Sequence, residues 1–343
     1  MGRREAPALT PTDEMRSATR AAVVDITCRV PSGEPLVVKP SQAPVGSLDS
    51  SLVPLIVELR KMLSNDVKEN GDAAAHIDDF TLARFLIARE CKLAGAERMF
   101  RETMKWRVSR SINQIRRDLH PLGTHAEGSP GAVRAAARRE HFFAGFGGHA
   151  RDGSPFFIER LGRFDVAGVN RDKAVFNFMM DCYVGYLETA FSACRVASAH
   201  SGRMTRAHSI VDASGVSLST MANVRVIKEV AKIGTSYYPE IMRKVTIVNL
   251  PWAFAAVWKL VAPLLPEQTR QKVAIYGSDF LPALLDDIDE ADLPAFLGGK
   301  KDDAELSVPR AAPIPAELGP KLAAAAATLP YGPHVSLVVD VDG

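Results

Sequence analysis

The chain has 343 residues, of which 47% are hydrophobic and 24% charged, with a formal net charge of +2. This is enough chain for one large domain or two modest ones with a real core. The near-neutral balance gives no global argument for nucleic acid, and no stretch is long and apolar enough for a transmembrane helix.

Residues 1–47 hold Pro7, Pro11, Pro31, Pro35, Pro40 and Pro44 and little periodicity, the composition of a disordered leader. They show no secretory apolar stretch, and Ala6 stands where a myristoylation motif wants Ser or Thr. Behind Asp49-Ser50-Ser51, residues Leu52, Leu55, Ile56, Leu59, Met62 and Leu63 fall at helical spacing. A second helix starts behind Asp78-Asp79 with Phe80, Ala83, Leu86 and Ile87 on one side, and a third carries Ala96, Met99, Phe100, Thr103 and Met104. These make an N-terminal helical unit over 48–115. Residues 116–140, with Gly128-Ser129-Pro130-Gly131 and a basic Ala-rich piece from Arg134 to Arg139, read as a linker.

Over 141–301 the texture is α/β. Strands are predicted over Phe156–Leu161, Ser209–Asp212, 245–250 and 272–276. Helices are predicted over Asp172–Phe191, Ser219–Ile233, 252–265 and Asp279–Ile288. Strands separated by helices imply right-handed crossovers and a mainly parallel sheet. From 302 to 343 the chain reads as a Pro- and Ala-rich tail, whose end, Val335 to Val339, is either an edge strand or loose.

Signatures of enzymes are missing from the sequence. Asp212-Ala213-Ser214-Gly215 is not a nucleophile elbow. Gly145-Phe146-Gly147-Gly148 precedes His-Ala-Arg-Asp-Gly rather than opening a helix, which argues against a dinucleotide loop. Cys28, Cys91, Cys182 and Cys194 lie far apart and the histidines form no ligand pair, so neither a disulfide framework nor a metal site is expected, and a cytosolic setting is favoured. Two features remain. The run 252–265 carries one charge, Lys259, and is apolar on nearly every face. On pattern alone a plain core helix is the favoured reading. Around it lie Tyr237, Tyr238 and Glu240 before, and Thr269 and Lys272 after. As functional groups they would form a headgroup site, Lys272 offering a cation to phosphate and Glu240 and Thr269 meeting hydroxyls; as ordinary surface they are solvated charges at element ends.

Several motifs in one order resemble the CRAL-TRIO family, and within it the secretory-pathway phosphatidylinositol/phosphatidylcholine transfer proteins. They are Asp79-Phe-Thr-Leu-Ala-Arg-Phe-Leu-Ile-Ala-Arg89, Met104-Lys-Trp-Arg107, Gly153-Ser-Pro-Phe-Phe-Ile-Glu-Arg-Leu-Gly162, the Asp212 strand exit, Tyr237-Tyr-Pro-Glu240, Asn249-Leu-Pro-Trp-Ala-Phe254 and Leu293-Pro-Ala-Phe-Leu-Gly-Gly299. The resemblance covers roughly residues 50–300. It implies a sheet flooring an apolar lipid pocket, with 252–265 as a mobile gate that presents Phe254, Val257, Trp258, Val261 and Leu265 to lipid or core. It implies headgroup roles for Arg89, Glu240, Thr269 and Lys272, and one choline-lipid hydroxyl at Ser209. Glu90, Ile241 and Ala207 depart from the family pattern. Inositol lipid is therefore better supported than choline lipid, and carriage of a retinoid, tocopherol or sterol-like molecule, or a lipid-sensing adaptor role, stays open. The expectation is a monomer that is not an enzyme and needs no cofactor beyond bound phospholipid, expected to be phosphatidylinositol. It would be cytoplasmic, would touch Golgi or endosomal membranes transiently, and would have a lipid kinase or trafficking protein as partner.

Overall fold

The computed structural model describes residues 48, 50–69, 73, 75–120, 123–216, 224–250, 262, 267–303 and 308–329. Helices α1 (Leu52–Met62), α2 (Ser64–Glu69), α3 (Asp79–Ile87) and α4 (Leu93–Ser109) come first. Leu52, Ile56 and Leu59 of α1 pack with Leu82, Phe85 and Leu86 of α3 and Met99 and Phe100 of α4 in a core of their own. Asp78 caps α3 by accepting from the Thr81 amide at 2.9 Å, the role its position in sequence suggests.

After α5 (Ile112–Asp118), residues assigned to a linker form α6 (Pro130–His141). Ser129 accepts from the Ala132 amide to start it, with Pro130 in its first turn. Arg134 and Arg138 are buried. The basic run is therefore a helix inside the fold, and the linker reading is corrected: Arg134 pairs with Asp181 at 3.1 Å, a partner that local pattern does not display.

Next come β1 (Ala144–His149), β2 (Pro155–Glu159), a 3₁₀ turn at Leu161–Arg163, α7 (Val166–Arg171), α8 (Lys173–Ser201), β3 (Ala207–Asp212), α9 (Val224–Tyr237) and β4 (Met242–Val248). They are followed by α10 (Glu267–Arg270), β5 (Val273–Ile275) and α11 (Leu281–Leu285), a second 3₁₀ turn at Ala295–Leu297, and α12 (Leu318–Ala327). The sheet has five strands in chain order; β1 runs antiparallel to β2 and the others are parallel. Strand β1 was not anticipated, because its sequence Ala-Gly-Phe-Gly-Gly-His is glycine-rich. The glycine is needed: a Cβ on Gly147 would fall 2.3 Å from the Phe156 ring. Helix α8 continues ten residues past the expected Phe191, to Ser201.

Register sorts the sheet's faces. Phe156, Ile158, Ile210 and Val248 pack with Phe280, Leu284, Ile288, Leu293 and Leu297 on one side. Phe157 and Ala207 face α8 and α9 on the other, among Tyr186, Cys194, Val226 and Ile233. That second face extends through Val245 and Ile247 to their register partners Val273 and Ile275. Here Val245, Ile247 and Val273 are only half-buried and Ile275 is exposed.

The residues from 302 are not simply a tail. Ile314, Leu318 and Leu322 belong to the core shared by α5, α8 and α9. The reading of 335–339 and the residues expected to form a gate, Phe254, Val257, Trp258, Val261 and Leu265, lie outside the described residues.

Candidate functional site

The site grows from the turn that ends α9. Tyr237 stacks on Trp106 of α4, ring centroids 4.0 Å apart and 5° from parallel. Tyr238 donates its hydroxyl to Glu188 of α8 at 2.8 Å. With these two rings held, Glu240 adopts φ 53°, left-handed backbone that non-glycine residues seldom occupy. The Arg84 guanidinium donates to the Glu240 carbonyl and to the Thr205 carbonyl. Arg84 is fully buried and thereby ties α3 to the entrances of β3 and β4.

The Glu240 carboxylate accepts from Lys272 Nζ at 3.2 and 3.3 Å and lies 2.9 Å from an Arg206 guanidinium nitrogen. Its side chain is 11% exposed. Lys272 is placed by its own backbone, whose carbonyl accepts from the Val245 amide at 2.8 Å just before β5 begins. Two residues singled out in the sequence, 32 apart, thus meet. The pair offers both signs of charge at the rim of the half-buried apolar strip.

The other expected members are placed differently. Arg89 turns its guanidinium back to the Ala88 carbonyl at 2.8 Å. Thr269 falls in α10, its side chain outside the described residues. Ser209 points into the fold, donating to Glu159 Oε1 at 2.7 Å, which also accepts from the Tyr186 hydroxyl at 3.0 Å. Ser209 therefore forms a second, interior polar group. Burial raises the Glu159 carboxyl above the ordinary range, opposed by the Ser209 and Tyr186 hydrogen bonds. Burial, with Glu159 beside it, also raises the Tyr186 hydroxyl.

The departures have local explanations. Glu90 has φ 52° and pairs with Lys92 at 2.7 Å, which neutralises its charge where it stands. Ile241 is buried in the main core, a position with no room for a solvated cation. Reading the sequence missed Arg84, Arg206 and Glu159. For Arg84 the only signal was a lone arginine inside an apolar helix; for Arg206 and Glu159, a charge at a strand end.

Among the described residues no group of His, Cys, Asp and Glu could hold a metal, and no helix is long and apolar enough to cross a membrane. What the arrangement offers is a paired cation and anion beside a half-buried apolar strip.

The chain is similar to known proteins. The CRAL/TRIO domain profile matches residues 139–299. The SEC14 cytosolic factor of Eremothecium gossypii is 31% identical over 264 residues, covering 76% of this chain and 80% of that protein. The Sec14 cytosolic factor of Schizosaccharomyces pombe is 28% identical, covering 65% of this chain and 75% of that one. The phosphatidylinositol/phosphatidylcholine transfer protein SFH11 of Arabidopsis thaliana is 29% identical, with coverage of 65% and 57%. Among solved structures, that of Sfh5 aligns with a TM-score of 0.47 at 17% identity, covering 66% of this chain and 81% of that one.

Proposed function

Because the chain belongs to the CRAL/TRIO domain family, we propose that it binds one phospholipid, preferentially phosphatidylinositol, and exchanges it between membranes. The observation that carries this reading is the Glu240–Lys272 pair at the rim of the half-buried strip Val245, Ile247, Val273 and Ile275. Lys272 would meet the phosphodiester and Glu240 the inositol hydroxyls. Exchanging partners costs little there, since a headgroup replaces one charge-assisted contact by another.

Topology supports a cover over the strip. Strands β2 to β5 advance in one direction across the sheet, and right-handed crossovers between such strands all fall on the same face. Helices α8 and α9 occupy that face, and residues 251–266 connect β4 to α10 and β5. On this reading the apolar run 252–265 covers the strip as the gate, with Phe254, Val257, Trp258, Val261 and Leu265 toward the acyl chains. A phospholipid carries on the order of 30 methylenes, each costing about 0.8 kcal/mol to expose. A gate that opens only against a bilayer lets the chains pass between two apolar phases, with no bond made or broken. The relatives named phosphatidylinositol/phosphatidylcholine transfer protein and SEC14 cytosolic factor support the same reading. It implies a cytosolic protein in transient contact with Golgi or endosomal membranes, presenting lipid to phosphoinositide kinases.

A second reading, carriage of another hydrophobe such as a sterol or tocopherol, draws on the interior group. The Ser209 hydroxyl is already engaged by Glu159, which suits an alcohol better than a second phosphate.

The test is Lys272→Ala in transfer between vesicles. Removing one charge-assisted contact should lower phosphatidylinositol transfer about tenfold and change phosphatidylcholine transfer less than about twofold. Equal loss of both would show that Lys272 does not recognise the headgroup.

A further inference from the structure

On the other side of Arg206 lies a cavity of about 410 Å³, between the N-terminal helices and the entrances of β2, β3 and β4. That volume is within the usual range for a small-molecule site, about 300–1,000 Å³. One wall is apolar, from Leu48, Leu52, Ile87 and Met204. The other is cationic, from Arg203, Arg206 and Arg243. Asp152 and Ser154 complete the lining, and the Asp152 carboxylate is occupied by the Ser154 amide at 3.0 Å.

Compensation of this charge is incomplete. Arg206 shares Glu240 with Lys272. Arg243 lies 3.5 Å from Asp287, which Lys244 already holds at 2.8 Å. Arg203 is exposed and makes no ion pair among the described residues. The buried Nε atoms of Arg206 and Arg243 have no hydrogen-bond partner there. Among the described residues the lining carries the cations Arg203, Arg206 and Arg243 against one carboxylate, Asp152, with Glu240 and Asp287 beyond it as the shared partners of Arg206 and Arg243. His208, beneath Lys244 and Asp287, adds no charge at neutral pH, since burial, with Arg243 nearby, pushes its imidazole down to about 3.

We propose that this cavity is a second anion site, which takes a phosphorylated polyol, an inositol bearing phosphate monoesters. Guanidinium groups meet phosphate oxygens bidentately, and the apolar wall of Leu52, Ile87 and Met204 suits the C–H face of the ring. The site is separate from the Glu240–Lys272 pair but shares Arg206 with it. A phosphate that draws Arg206 away from Glu240 leaves the carboxylate freer for inositol hydroxyls in the neighbouring site. The ligand chemistry has two sources, a phosphoinositide headgroup in a membrane or a free inositol phosphate. The inference does not rest on the transfer reading, because binding is measured without transfer.

The experiment titrates the full chain with inositol trisphosphate in solution. In parallel it measures co-sedimentation with phosphatidylcholine vesicles containing phosphatidylinositol phosphate. Arg203→Gln with Arg243→Gln should weaken binding about tenfold or more. Because Arg203 is exposed, Arg203→Gln alone keeps the test valid if the double variant does not fold, and should still weaken binding severalfold. Asp152→Asn should strengthen it. Binding in solution alone identifies the free ligand, and binding to vesicles alone identifies the lipid; either supports the site. Absence of binding in both arms, or equal affinity of wild type and the Arg203→Gln variants, overturns it. Phosphatidylinositol transfer, assayed separately, should be unchanged by Arg203→Gln, so failure here and failure of the transfer reading give different results.

Discussion

Glu188 shows how single residues hold this fold. Its side chain is 2% exposed, with Arg107 Nη1 at 2.6 Å and the Tyr238 hydroxyl at 2.8 Å. Burial disfavours its charge, but the charge and hydrogen bond of Arg107 hold the carboxyl below its ordinary range. Removing one partner of a buried ion pair leaves the other uncompensated, a loss of about 3–5 kcal/mol. Glu188→Ala should lose that much in urea denaturation, with Arg107 left stranded; a loss under about 1 kcal/mol would mean that the pair is not desolvated. The same physics limits what sequence reveals. Asp181 meets Arg110 and Arg134, and Asp78 meets Arg195 across 117 residues. Such partners lie on different helices, so each charge by itself reads as a solvated one. Glu240 and Lys272 were legible because each borders a distinctive run; Arg84 lies inside the motif Asp79–Arg89 but with no sign of its distant carbonyl partners, and Arg206 borders none.

At the scale of elements, propensity and periodicity found most of the helices and the parallel strands, with shifted ends. They failed where composition misled. Strand β1 looks like a loop because Phe156 demands a glycine against it. Helix α6 looks like a linker because Arg134 and Arg138, which the fold buries, read in sequence as solvated charges. Residues 308–329 look like a tail, yet the chain there is strapped down. The Arg310 and Ala312 amides donate to the Arg139 and Glu140 carbonyls at 3.0 and 2.8 Å, and the Ile314 amide donates to Asp165 at 2.9 Å. Gly319 of α12 packs so closely on Asp172 that a Cβ would lie 2.5 Å away. Ile314, Leu318 and Leu322 are buried, each worth about 1.5–3 kcal/mol. A chain ending at Ser307 should therefore lose about 5 kcal/mol or fail to fold, and Leu322→Ala about 2–4 kcal/mol. Thermal unfolding indifferent to both changes would return the segment to the status of a tail.

For the whole molecule, the N-terminal helices and the sheet domain form one unit around the site. Arg84, Arg195 and Trp106 each reach across: to Glu240, to Asp78 and to Tyr237. The Glu240–Lys272 pair thus stands on a buried frame beside a half-buried apolar strip, the combination that the proposed carrier needs: a fixed polar end and a coverable apolar floor. The measurement that tests this most directly is the identity of the bound lipid. The full chain is incubated with vesicles of mixed phospholipids, re-isolated by gel filtration, and its lipid identified by mass spectrometry. The account predicts about one phospholipid per chain, enriched in phosphatidylinositol over its share in the vesicles, with the enrichment lost in Lys272→Ala. Recovery of no phospholipid, or of phospholipids in vesicle proportions, would contradict it.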